Sequence, residues 1–382
     1  MPKVSNASHA AGLDITYECI SANQYKVTLT FYRECSGLNG PNGNWLNGVT
    51  QLDVFSPSTG STALLDLVEV TPFPVPVNPT ISSSPSCPFI GTCSFGGTTP
   101  QNQVKTFEGI VTLPFARNDW TIRAAIATRN ITITTVTNSN NYAICVEAVI
   151  NNTSLVGCND SPVWDSYPPT YLCVNTSNYY SSTATDPDGD SIVYTLVNPL
   201  SLGIYTPNWN GTFGWAWNNI TTNVPYNGGN SFLNPLIGTT TFDPLTANMT
   251  FSPTQQHTTI WAIKAEEYRS GLIIGSITRD IQTTSLACNS NPPNLTGIDT
   301  LALADVNTNS FYFCANGNDV MNFDINALTS PPNGTNNITM SVSGIPNNST
   351  FTILNNGTNN PLGTFTWVPQ YVDLLASPFQ FT

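Results

Sequence analysis

The chain has 382 residues, too many for one ordinary hydrophobic core, and 40% of them are apolar, which excludes a disordered polymer. Charged residues supply only 9%, against ~25% in a typical globular chain, so Asn, Thr and Ser must furnish the polar surface. The 23 acidic and 10 basic residues give a net charge of -13 with no Lys/Arg cluster, which excludes the electrostatic footprint of a nucleic-acid binder or of attachment to anionic membranes.

Period-2 alternation, not the helical period, runs along the sequence. Residues 15–20 and 25–32 flank Ser21-Ala22-Asn23-Gln24 and predict a hairpin, with Tyr25, Val27, Leu29 and Phe31 on one face. Further strands are expected at 104–113, 120–127, 131–136, 142–150, 192–197, 258–264, 272–282 and 349–354. Short β-branched strands punctuated by Gly, Pro and Asn predict an all-β fold of tandem β-sandwiches. No stretch approaches the ~20 apolar residues of a membrane-spanning helix, so membrane insertion is not expected. Ala7-Ser8-His9 fits the start of a mature chain whose leader has been removed.

An internal echo sets the expected domains. Cys158-Asn159-Asp160-Ser161-Pro162 leads to Tyr171-Leu172-Cys173-Val174-Asn175, and Cys288-Asn289-Ser290-Asn291-Pro292 leads to Tyr312-Phe313-Cys314-Ala315-Asn316. Asn248-Met249-Thr250-Phe251-Ser252-Pro253 is echoed by Gly363-Thr364-Phe365-Thr366-Trp367-Val368-Pro369. The expected division is an N-terminal sandwich over 1–157, a module over 158–287, and a related module over 288–382, cut short at its end.

The 9 cysteines lack CxxC pairs, which argues for disulfides and an extracytoplasmic, outer-surface location over zinc. In the first hairpin Cys35 lies about 26 Å along from the residue opposite Cys19, too far for a bridge. The expected pairs are Cys158 with Cys173 and Cys288 with Cys314, each stapling a module entrance. Cys35, Cys87 and Cys93 share one further bridge, and Cys19 or Cys145 is left buried in a strand.

Thr185-Asp186-Pro187-Asp188-Gly189-Asp190-Ser191 places three carboxylates on one side of a tight loop, the hard oxygens that calcium takes. A bare acidic turn is the alternative, and calcium is preferred because adjacent carboxylates repel unless a cation offsets them. Asn159 and Asp160, or Glu266 and Glu267, are the candidates for further ligands, with Asp160 and Glu266 completing the expected set. Trp215 and Trp217 share a face if their segment is a strand, which offers either a sugar-stacking platform or core packing. His9 and His257 sit in no catalytic motif, and there is no HExxH, GxSxG or glycine-rich phosphate loop, so the chain is read as non-enzymatic. The Asn-x-Ser/Thr triplets at Asn130, Asn175, Asn210, Asn248 and Asn337 are glycan acceptors only in an organism that modifies them.

Residues 8–19 (SHAAGLDITYEC), Tyr25 to Cys35 (YKVTLTFYREC), Val149-Ile150-Asn151-Asn152 and ATDPDGDSIVYTL at 184–196 together resemble the opening of large Bacteroidota surface proteins. That family carries immunoglobulin-like or PKD-type repeats, often with a gliding-motility sorting domain read by the type IX secretion system. Asn159-Asp160-Ser161-Pro162-Val163-Trp164 is also similar to a cadherin inter-repeat linker. The resemblance makes the expected sandwiches immunoglobulin- or cadherin-like. It implies a cell-surface adhesin or filament, calcium at the junction, and surface polysaccharide or other surface-protein subunits, including copies of itself, as partners. A carbohydrate-binding or carbohydrate-processing exoprotein is the alternative.

Overall fold

The computed structural model of the protein describes residues 10–34, 51–70, 80–82, 101–126, 129–169, 171–202, 221–288, 294–298, 320–328, 337–342, 345–346 and 348–369. The fold is all-β, built from mainly antiparallel sheets. Among the described residues no helix is long and apolar enough to cross a membrane.

The expected hairpin forms from β1 (Ala10–Ser21) and β2 (Gln24–Glu34). Leu13 faces Phe31, Ile15 faces Leu29 and Tyr17 faces Val27, and all six are buried, so the alternation fixes both register and inner face. Then come β3 (Gln51–Phe55), β4 (Thr62–Asp66), β5 (Val68–Glu69), β6 (Thr80–Ser82), β7 (Gln101–Thr112), β8 (Trp120–Ile126) and β9 (Ile144–Ile150). The β-branched run at 131–136 does not form the expected strand. Its segment turns beside later residues instead, with the Thr134 N–H on Thr258 O and the Thr135 and Thr259 hydroxyls bonded to each other.

The chain continues through β10 (Val163–Trp164), β11 (Tyr171–Cys173), β12 (Asn178–Ser181), β13 (Ala184–Thr185), β14 (Ser191–Val197), β15 (Leu200–Leu202), β16 (Thr221–Asn223), β17 (Gly238–Phe242) and β18 (Asn248–Pro253). A long hairpin follows, β19 (His257–Arg269) and β20 (Leu272–Leu286). β20 organises the molecule. One edge pairs with β19 throughout; the other takes β9 at Gly275–Ile277, β1 at 279–281, and β11 at 284–286. The sheet order β4-β3-β8-β9-β20-β1-β2-β7-β5 therefore passes through a strand from the second half of the sequence.

That topology removes the expected boundary at 157. One hydrophobic core runs from Ala10 to Ile281 and holds Phe31, Trp120, Val146, Tyr194, Phe251 and Trp261 together. Two buried ion pairs cross the same line. Arg279 of β20 grips Asp14 of β1 through two bonds of 2.7 Å, and stacks on Trp164. The adjacent Asp280 faces the other way and accepts from Arg129. The Cys-Asn-x-x-Pro opening at 158 therefore does not mark a module start.

Both expected disulfide pairings are also corrected. Cys19 bonds Cys158, and Cys173 bonds Cys288, with Cα atoms 5.6 and 5.3 Å apart. The 158–161 segment runs along the end of β1, where Ser161 N–H donates to Tyr17 O and Cys19 N–H to Asp160 Oδ1, so Cys158 arrives at Cys19. β11 lies parallel to the end of β20 with Cys173 opposite Leu286, two residues short of Cys288. Cys145 is free and buried, as expected for one of the strand cysteines. Cys35, Cys87, Cys93 and Cys314 lie outside the described residues.

A separate four-stranded sheet, ordered β21-β22-β24-β23, comprises β21 (Asn294–Ile298), β22 (Met321–Leu328), β23 (Thr350–Leu354) and β24 (Leu362–Trp367). Its own cluster is Met321, Phe323, Phe365 and Trp367. The echoed stretches both fall on central strands, β18 between β12 and β17 and β24 between β22 and β23.

Candidate functional site

The aspartate loop joins β13 to β14 and folds around its first carboxylate. Asp186 Oδ1 accepts the N–H groups of Asp188 and Asp190 at 2.9 and 3.0 Å, and Gly189 supplies the positive φ of 81° that closes the turn. Ligand atoms of Asp186, Asp188 and Asp190 then lie within 4.8 Å of one another, as the spacing predicts. Asp186 and Asp190 are buried and Asp188 is exposed.

Arg269, which no sequence motif singled out, ends β19 against this cluster. Its Nε donates to Asp190 Oδ1 at 2.8 Å and its Nη2 to Asp190 Oδ2 and to Asn159 Oδ1, the latter at 2.7 Å. Nη1 donates to the Val156 carbonyl at 2.9 Å, and Nη2 stands 3.7 Å from Asp188 Oδ2. Bidentate pairing of this kind is the strong form of Arg–carboxylate contact.

Glu267 lies behind the loop, fully buried, and accepts from Tyr17 Oη at 3.1 Å and from Asn159 Nδ2. It faces Gly275 of β20, where a Cβ would lie 2.0 Å from Glu267 Oε2 and 2.2 Å from Tyr17 Oη, so only glycine leaves room for this contact. Burial first, and then the neighbouring Asp186, push the Glu267 carboxyl up to about 10, so it is protonated at neutral pH. Asp186 is also raised, burial being the main cause. The second oxygen of Asp186 is buried with no N–H or hydroxyl donor, and the protonated Glu267 is placed to donate to it.

The expected metal set is therefore split. Asp160 reaches the loop through its backbone, its N–H donating to Asp188 Oδ2 at 2.8 Å, while its carboxylate is spent on the Cys19 N–H. Glu266 points to the opposite face and pairs with Lys264 at 2.6 Å, which corrects its assignment as a ligand. Strand parity carried the right choice, since buried Ile263, Ala265 and Glu267 alternate in phase. Calcium takes six to eight oxygens. Here both oxygens of Asp190 hold Arg269, one of Asp186 holds the loop backbone, and Glu267 is neutral, so the donors as arranged do not fit calcium.

Trp209, Trp215 and Trp217 lie outside the described residues. His257 is buried, with Nδ1 donating to Gln255 O and Nε2 accepting from the Ile237 N–H. Both ring nitrogens thus serve the fold in one neutral tautomer. No protein-family model and no curated protein matches the chain.

Proposed function

We propose that this chain is the structural or adhesive part of an extracellular cell-surface protein, a rigid β-body that displays or bears load instead of catalysing a reaction. The observation that carries the reading is the pair of long-range disulfides, which close loops of 139 and 115 residues across one shared core. Disulfides of this kind persist in oxidising compartments, and closing long loops restricts the unfolded chain most. The Bacteroidota-type sequence resemblance adds the expectation of an outer-surface station and of type IX export. Its partners are then neighbouring surface-protein subunits or surface polysaccharide.

The test is made on intact source cells. A membrane-impermeant amine or tyrosine label should modify the protein, external protease should remove it, and free-thiol alkylation should find Cys19, Cys158, Cys173 and Cys288 blocked. Deleting the gene should weaken surface attachment. Recovery of the protein inside the cell with these four thiols reduced would contradict the proposal.

A further inference from the structure

We propose that the guanidinium of Arg269 holds the position of a divalent cation at the Asp186–Asp190 loop, so that this junction is locked without calcium. The oxygens gathered around Arg269 are of the kinds a calcium ion takes: both oxygens of Asp190, the amide oxygen of Asn159, the carbonyl of Val156, and Asp188 Oδ2 further out. Asp186 stands within 4.8 Å of the other two carboxylates, with its second oxygen buried against the Glu267 carboxyl. The oxygens around Arg269 are thus already engaged by a cation from the chain itself.

The same cation joins four pieces of backbone. Arg269 at the tip of the β19–β20 hairpin binds the 153–157 turn through Val156, the 158–161 segment through Asn159, and the aspartate loop through Asp190. Asp160 N–H then ties that segment to Asp188, and Cys158 ties it to Cys19 in β1. A metal-filled linker fixes such segments only while the ion is present. A covalently attached guanidinium is always charged and fixes them at any calcium level.

Removing the guanidinium, with its backbone and neighbours intact, takes away the cation that faces the Asp188 and Asp190 carboxylates, and like charges this close demand a counter-ion. The prediction is that Arg269→Gln converts the loop into a calcium site. The experiment measures thermal unfolding and calorimetric calcium titration on the full chain with its disulfides formed, in calcium chloride and in EDTA. The wild-type Tm should be the same in both, with no saturable calcium binding. R269Q should melt lower in EDTA, regain Tm in calcium but not in magnesium, and lose that gain when Asp188→Asn is added. If R269Q does not fold in EDTA, refolding yield reads the same question, and recovery with calcium supports the proposal. Saturable calcium binding that raises the wild-type Tm overturns it. A variant that gains no calcium response, in Tm or in refolding yield, overturns it equally.

Discussion

Residues 10–288 and residues 294–369 are both sheets of alternating strands, yet they hold together on different scales. Among the described residues, the larger region joins its main sheet through β20 and buries one large core beside a small cluster at Ile133, Val136, Val224 and Ile260. The same residues carry two disulfides and two buried ion pairs between distant segments. The smaller sheet relies on a compact aromatic cluster, with Phe323 and Phe365 stacked 4.9 Å apart. Cross-links of long sequence separation make stability a property of the whole region, whereas a cluster confined to neighbouring strands makes it local.

That contrast can be broken most forcefully at the disulfides. Replacing Cys19 and Cys173 with Ser should cost about 4–5 kcal/mol for each bridge on the loop-entropy scale. The loss should appear as a lower denaturant midpoint for the residues 10–288 transition. Next comes the buried pair. Asp14→Ala leaves the Arg279 charge uncompensated against Trp164 and takes the acceptor from the Tyr32 hydroxyl, and should cost about 3–5 kcal/mol in the same transition. Phe365→Ala should cost about 3–5 kcal/mol but only in the smaller sheet, so calorimetry should show one transition move and the other stay. If F365A lowers both transitions together, the contrast between the two regions fails.

Two pH effects sharpen the comparison on a smaller scale. Glu267 has its carboxyl raised from 4.5 to about 10, so the folded state favours the neutral acid. Its contribution is complete below pH 4.5 and is lost as pH rises towards about 10. Glu267→Gln should flatten stability across that window, and a profile as steep as the wild type's would exclude Glu267 as its source. His257 has the opposite sign of dependence: burial lowers its imidazole below 6.5, so its contribution is present above pH 6.5 and lost on acidification. An NMR titration of the ring should show a midpoint below 6.5.

The strands were legible because their cause is local. Alternation at 25–31 records which side chains meet a core, and turn residues mark where each strand stops. The aspartate loop was legible for the same reason, since spacing and glycine alone bring its three carboxylates together. The run at 131–136 shows the limit: its β-branched residues form turns, and their backbone and hydroxyls find partners across the chain. Edge selection is non-local, and nothing near Leu272 states that β20 will accept β9, β1 and β11 in turn. Cys158 resembles Cys288 in sequence context, but its partner was decided by the 158–161 segment docking on β1. Arg269 was invisible because a lone arginine at a strand end carries no pattern. Glu267, by contrast, was available from parity with Ile263 and Ala265.

The central structural claim is that residues 10–288 are one cooperative unit and that 157 is not a boundary. It is tested most directly by expressing 158–288 alone and following its unfolding in denaturant. Without β1 and β9 the inner edge of β20 is uncovered from 275 to 281, Arg279 loses Asp14, and Asp280 loses Arg129. This fragment should show no cooperative transition, and a sigmoidal two-state unfolding curve from it would mean that 158–288 folds on its own.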